Sequence, residues 1–247
     1  MSEIIAGRRP IIEALKSGRP INRILLAQNI GRHSAVAEIL RMSHDRRIPL
    51  EYVPRQALDD ASPSDAHQGA LAYAAVKDYV SLDDLFAIST SRNEPALYCI
   101  LDGIEDPHNL GAILRCADGS GTHGVVIRAR RAVGLTAAVA RASAGAVEYV
   151  PVARVTNIAQ TIETLQERRV LTVGIDPAGE VPYTEVDFTG PTAIVIGGEG
   201  KGIASLVRRS CDILASIPMR GRVNSLNASI AAALAMYEAI RQRGCRE

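Results

Sequence analysis

From residue 96 onward the chain alternates short apolar runs with helix-period segments, and this alternation limits the fold more than any other feature. ALYCILDGI (96–104), GVVIR (124–128), VLTVGID (170–176) and DILASIPM (212–219) read as strands, and PTAIVIGGEGKGI (191–203) as a buried strand opening into a glycine loop. Between them, NLGAILRCADGSG (109–121), TAAVARASAGAVEYV (136–150, running toward a strand at EYVPVAR), NIAQTIETLQERR (157–169) and LNASIAAALAMYEAIRQR (226–243) read as helices. Strands that are apolar on both faces need cover on both faces. The pattern therefore predicts an α/β fold with a mostly parallel sheet between helix layers.

The first 76 residues read as a separate small α/β module. PIIEALKSG starts a helix at Pro10 and stops it at Gly18, while INRILLAQ (21–28), PLEYVP (49–54) and GALAYAAV (69–76) read as strands. HSAVAEILRMSHDRR (33–47) has helical spacing. Residues 77–95 break the apolar pattern and are expected to be a linker, with Ser81 able to cap a short helix over SLDDLFAI. The expected domains are thus 1–76 and 96–247, joined by 77–95. A chain of 247 residues suits that division, at about 150 residues per domain.

Net charge is only +1, but it is unevenly spread. Residues 1–55 carry ten basic and five acidic side chains, residues 56–106 two and ten, and residues 107–247 sixteen and twelve. Two basic blocks flank an acidic waist. The basic residues are almost all Arg, the lysines being Lys16, Lys77 and Lys201. Arg suits phosphate because its planar fork donates in pairs. Genomic base bias would leave the same mark. Aromatic residues are scarce at 4%, with no Trp, which argues against base-stacking platforms.

Cys99, Cys116, Cys211 and Cys245 form no C-x-x-C pair, so reduced thiols and a cytoplasmic protein are expected. MSEIIAGRRP lacks the apolar core of a signal peptide, and no apolar run is long enough to span a membrane. No Cys/His/Asp grouping has metal-ligand spacing, so no metal is expected.

Three segments could carry chemistry. In LDGIEDPHNLGAILRCADGSG (101–121), polar residues follow a buried strand at the sheet edge where α/β proteins bind ligands. Asn109 is at the expected helix cap, and Arg115 lies six residues on; simple capping and snorkelling would explain both. In AIVIGGEGKGI (193–203), glycines 197, 198, 200 and 202 let backbone amides approach a ligand closely. The spacing is neither a Walker loop nor G-x-G-x-x-G, and Glu199 would repel a pyrophosphate, which disfavours a nucleotide-binding Rossmann enzyme. A plain strand–helix turn is the alternative. In SIPMRGRVNSLNASIAAAL (216–234), two arginines and Ser225-Leu-Asn227 precede a helix of small residues suited to close packing.

Together these segments resemble the three motifs of the SpoU (TrmH) family of RNA ribose 2′-O-methyltransferases, within the SPOUT superfamily. The matching stretches are Asn109–Arg115, Ile196–Gly202 and Ile217–Ser229. The opening IIAGRRPIIEALKSG is similar to the N-terminal substrate-binding domain of the RlmB-like group, which methylates guanosine of bacterial 23S ribosomal RNA. The resemblance implies S-adenosylmethionine as cofactor, structured RNA as partner, a homodimer, a trefoil knot in the methyltransferase domain, and an L30e-like first domain. It implies Asn109, Arg115, Glu199, Ser225 and Asn227 as the catalytic set. It implies that Gly197, Gly198, Ile217, Met219, Ser225, Leu226 and Asn227 hold the cofactor.

Methyl transfer is an in-line displacement, so alignment and stabilisation of the developing alkoxide should supply most of the rate gain. Arg115 suits the second task better than that of a base, because a guanidinium stays protonated. Charge clustering marks Arg8, Arg9, Arg23, Arg32 and Arg41, and Arg128, Arg130, Arg131 and Arg141, as RNA contacts. A transfer RNA methyltransferase and a catalytically silent RNA-binding or ribosome-assembly protein are the competing readings.

Overall fold

A computed structural model describes residues 2–31, 33–62, 67–75 and 77–244. Arg32 and Cys245 lie outside the described residues. The contacts divide the chain into two units, 1–78 with 135–149, and 79–134 with 150–247.

In the first unit, β1 (Ser2–Ala6), β2 (Ile21–Ala27), β3 (Leu50–Val53) and β4 (Ala70–Ala75) form a sheet in the order β1-β4-β2-β3. Both pairings of β4 are antiparallel, and β2 runs parallel to β3. Helices α1 (Arg8–Lys16) and α2 (Ser34–Asp45) bury Ile11, Leu15, Val36 and Ile39 against Ile5, Ile24 and Leu26. On the other face, α3 (Arg55–Ala61) places Leu58 against Leu25 and Leu71. The sequence reading missed β1 and α3.

Residues 135–149, expected to be part of the second domain, group with this unit instead. Their expected single helix is broken: α6 spans Ala137–Ala142, and Ala144 and Gly145 then take positive φ of 52° and 93°. Glu148 accepts from Arg19 at 2.7 Å, while the same guanidinium donates to Glu3 at 2.5 Å and to the Ala75 carbonyl at 2.8 Å. The Arg19 side chain is 7% exposed and that of Glu148 4%. Removing the cation would strand two carboxylates with little solvent. Arg19→Met is expected to destabilise this unit by about 3–5 kcal/mol. Urea unfolding would measure it, and a change below about 1 kcal/mol would show that the triad contributes little.

In the second unit seven strands lie in the order β7-β6-β5-β10-β8-β11-β9, and every pairing is parallel. They are β5 (Leu97–Asp102), β6 (Gly124–Arg128), β7 (Val152–Val155), β8 (Leu171–Ile175), β9 (Val181–Pro182), β10 (Thr192–Gly197) and β11 (Ile213–Ser216). Helices α4 (Leu82–Arg92), α7 (Ile158–Glu167) and α8 (Ser205–Ser210) share a core with the sheet, built on Leu85, Ile162, Leu165 and Val207 against Tyr98, Ile100, Val126 and Val195. Helices α5 (Pro107–Gly119) and α9 (Ala228–Arg243) pack side by side, α5 against β6 and α9 against β8 and β10. The expected α/β sheet is present. The stretch 77–95 is not simply a linker, however. A capping box between Ser81 and Asp84 starts α4, and Leu85 is fully buried. Asp83, Asp84, Thr90 and Ser91 face out and lower the apolar count, while Ser89 is buried beside the Tyr98 hydroxyl at 2.9 Å.

Candidate active site

Strand order decides what meets at the carboxyl edge of the large sheet. β10 is inserted between β5 and β8, so neighbours in space come from distant parts of the chain. In register, Gly197 lies beside Asp102, Ile196 beside Ile175, and Ala215 on the far side of Ile175. The loops that follow β5, β10, β8 and β11 therefore leave from one row. Ligand crevices in α/β sheets form where strand order reverses in this way.

The loop after β10 is folded on itself and clamped at both ends by one residue. The Gly198 amide donates to the Asp102 carbonyl at 3.0 Å, and the Ala204 amide to the Asp102 carboxylate at 2.8 Å. The Gly202 amide closes the loop on the Gly198 carbonyl, with Gly200 and Gly202 at positive φ. A Cβ at Gly197 would stand 2.1 Å from the Gly202 carbonyl carbon, and one at Gly198 would stand 2.2 Å from the Gly103 oxygen. These two glycines are therefore demanded by backbone packing.

Asn109, Glu199 and Asn227, 90 and 28 residues apart, meet in one cluster. Asn109 Nδ2 donates to Glu199 Oε1 at 2.6 Å, and Asn227 Nδ2 donates to the same oxygen at 2.9 Å and to Asn109 Oδ1 at 2.9 Å. Asn109 is 6% exposed. The sequence places it at the helix cap, but Asp106 holds that position, accepting from the His108 amide at 3.0 Å with Pro107 next. Asn109 is thus free to face Glu199. Asn227 does cap α9, accepting from the Ser229 amide at 2.8 Å.

Beside the cluster is a cavity of about 630 Å³. Gly197, Gly198, Ile217, Met219, Ser225, Leu226 and Asn227 all line it, together with Glu199. Arg115 does not. It is exposed on α5, one turn before Gly119. A Cβ at Gly119 would lie 2.7 Å from the Tyr237 hydroxyl, so this side of α5 adjoins Tyr237 of α9. Asp176, Lys201 and Arg208 also line the cavity and were not singled out from sequence. Asp176 follows an apolar strand just as Asp102 does, which was the available signal.

Of the arginines marked for RNA, Arg9, Arg23, Arg41, Arg130 and Arg131 are exposed. Arg8 donates to the Gln68 carbonyl, Arg23 covers the Tyr73 ring at 4.3 Å, and Arg41 pairs with Asp45. Arg128 lies 3.3 Å from Asp102. Arg141, expected beside the large sheet, belongs to the first unit, and its Nη1 is buried.

Burial pushes the Cys99 thiol up to about 12, and burial with nearby Asp212 and Asp102 does the same to Cys211. Cys116 is raised by burial as well. None of these three is a ready thiolate nucleophile at neutral pH. Among the described residues no group of three His, Cys, Asp or Glu side chains is arranged to hold a metal, and no helix is long and apolar enough to cross a membrane.

A glycine-floored cavity at the carboxyl edge of a parallel α/β sheet, with a polar amide–carboxylate cluster on its lip, is the layout of a ligand-binding α/β protein. The family model described as the SpoU rRNA Methylase family matches residues 96–237, and that described as RNA 2′-O ribose methyltransferase substrate binding matches residues 4–80. YacO of Bacillus subtilis, named as a TrmH family tRNA/rRNA methyltransferase, is 45% identical over 241 residues, covering 98% of this chain and 96% of its own. The SpoU methyltransferase AviRb from Streptomyces viridochromogenes, solved in complex with AdoMet, superposes with a TM-score of 0.84 at 29% identity, covering 98% of this chain and 90% of that one. The TrmH/SpoU tRNA modifying enzyme of A. aeolicus gives a TM-score of 0.55 at 28% identity over 65% of this chain and 83% of its own. The chain belongs to the SpoU rRNA methylase family and is an RNA methyltransferase.

Proposed function

We propose that this protein uses S-adenosylmethionine to methylate a ribose 2′-hydroxyl in structured RNA, a guanosine of bacterial 23S ribosomal RNA first among candidates. The observation that carries the reading is the Asn109–Glu199–Asn227 cluster on the rim of the cavity. The cavity suits the cofactor. Its floor at Gly197 and Gly198 is backbone that a Cβ would fill, Ile217, Met219 and Leu226 offer apolar surface, Ser225 offers a hydroxyl, and Asn227 shapes the wall with its side-chain amide already bonded. The cofactor supplies an activated methyl group on a sulfonium. The chain's task is to align and to stabilise charge. Glu199 holds both amides in place, and Asn109 and Asn227 fix the rim where the ribose oxygen enters. Arg115 stabilises the alkoxide and the adjacent phosphate.

Arg115 stands off the cavity of its own chain, which fits a homodimer that brings two copies together along α9. Ile230, Leu234 and Tyr237 are exposed there at spacings of four and three, one apolar face of a helix. We assign residues 1–76 to RNA binding as an L30e-like domain, with the exposed arginines as phosphate contacts, and residues 96–247 to a methyltransferase domain containing a trefoil knot. We assign the protein to the cytoplasm, a reading supported by the free thiols of Cys99, Cys116 and Cys211. Ribosomal RNA is preferred because the tRNA modifying enzyme matches only 65% of this chain, whereas a substrate-binding model covers residues 4–80.

Mapping ribose methylation across total RNA with and without the protein tests the reading. Loss of one 23S site on deletion supports it, loss of a transfer RNA site moves the substrate, and an unchanged map sinks it. Arg115→Ala is expected to slow transfer about a hundredfold with cofactor affinity unchanged in calorimetry. Near-normal turnover would remove Arg115 from the alkoxide.

A further inference from the structure

We propose that Asp176, held in place by Arg208, reads the ribose hydroxyls of the cofactor's adenosine. This rests on the cavity being the S-adenosylmethionine site, and it concerns residues outside the three motifs.

Asp176 follows β8, the strand between β10 and β11, so it stands between the glycine loop and the segment 217–227 at the cavity wall. It is 8% exposed and fixed at several points. Its amide donates to the Ala215 carbonyl at 2.9 Å, its carbonyl accepts from the Gly179 amide at 2.9 Å, and Oδ1 accepts from the Ala178 amide at 2.9 Å. The turn lies directly on β11, since a Cβ at Gly179 would be 2.4 Å from the Ala215 carbonyl carbon. The backbone of Asp176 is thus fixed, and the Ala178 amide and Arg208 hold its carboxylate.

Charge decides what such a group can hold. Arg208 Nη2 is 3.3 Å from Asp176 Oδ1, and both residues line the cavity. An ammonium brought to this carboxylate would sit beside a guanidinium and gain little. A carboxylate or phosphate would meet the negative charge of Asp176. Neutral hydroxyl donors meet neither penalty, and a carboxylate oxygen accepts them strongly. A nucleoside carries its diol next to a flat apolar base, and Ile175, Ile196 and Ile217 line the same cavity.

Calorimetry tests this without turnover. The probes are S-adenosylhomocysteine, 5′-methylthioadenosine (which lacks the amino-acid portion) and the 2′-deoxy form of the latter. Asp176→Asn is expected to weaken the first two by the same factor, about 10- to 100-fold. The wild-type protein should lose a comparable factor for the 2′-deoxy probe, and the Asn variant should lose little more. A penalty on S-adenosylhomocysteine alone would assign Asp176 to the amino-acid end and overturn the proposal. So would equal wild-type affinity for the ribose and 2′-deoxy probes, a comparison that needs no variant. Failure of the wild-type protein to bind S-adenosylhomocysteine at all would instead overturn the cofactor reading itself.

Discussion

Alanine at Glu199 is expected to slow methyl transfer about a thousandfold while the protein stays folded. Glu199 Oε1 is the shared acceptor of Asn109 and Asn227, so its removal releases both amides at once. Asn109 then keeps a nearly buried amide without its acceptor, and Asn227 loses the bond that ties the start of α9 to the glycine loop. Groups that act as one unit fail together, so Glu199→Ala and the Glu199→Ala/Asn109→Ala pair should be nearly equally slow. Glutamine should retain more activity than alanine, because its carbonyl can still accept while its charge is lost. Single-turnover rates with cofactor at saturation are the measurement. A loss below about tenfold, or losses that simply multiply in the pair, would show that the cluster does not act on the reacting oxygen as a unit.

The second large effect is expected at Gly198, where alanine should abolish cofactor binding in calorimetry, a loss of more than about a hundredfold. Its Cβ would press on the Gly103 carbonyl, which is backbone in the loop after β5 and cannot rotate aside. The overpacking costs about 1–3 kcal/mol or more, and the loop relieves it by moving. That movement breaks the Gly198 amide bond to Asp102 and shifts Glu199, the next residue. Gly190→Ala is the control: nothing lies within 4 Å of its Cβ, and affinity should not change. If Gly198→Ala bound cofactor normally, the close approach of the two loops would have no functional weight.

The large sheet was legible because its strands are long apolar runs with little else to be. LYCILD and LTVGI lie within two residues of the expected strands, and TAIVIG is the strand expected to open into the glycine loop. Elements too short for their period to repeat escaped: β9 has two residues, and α8 has six. The short helix expected after a Ser81 cap is α4, but it runs on to Arg92 and packs Leu85 and Ser89 inward, which a stretch so polar in composition did not show. For the site, strand ends pointed to the loops, yet sequence alone could not show which loops are neighbours. That depends on β10 entering between β5 and β8, and no local pattern encodes it. Arg115 shows the limit most clearly. The motif resemblance puts it in the catalytic set, while in a single chain it is exposed and does not line the cavity. Asp176 was missed because one acid after a strand looks like any turn residue until its neighbours are known.

The late entry of β10 also sets the order of events as the polypeptide leaves the ribosome. β5 is complete at residue 102, but its partner on one side begins at residue 192. Until then a row of unpaired amides and carbonyls is open to any passing strand. Closing so distant a pairing is slow, since loop entropy must be overcome before the contact rewards it. The enzyme therefore acquires its ligand pocket only near the end of synthesis, and prematurely terminated products should aggregate rather than persist as dormant folded fragments.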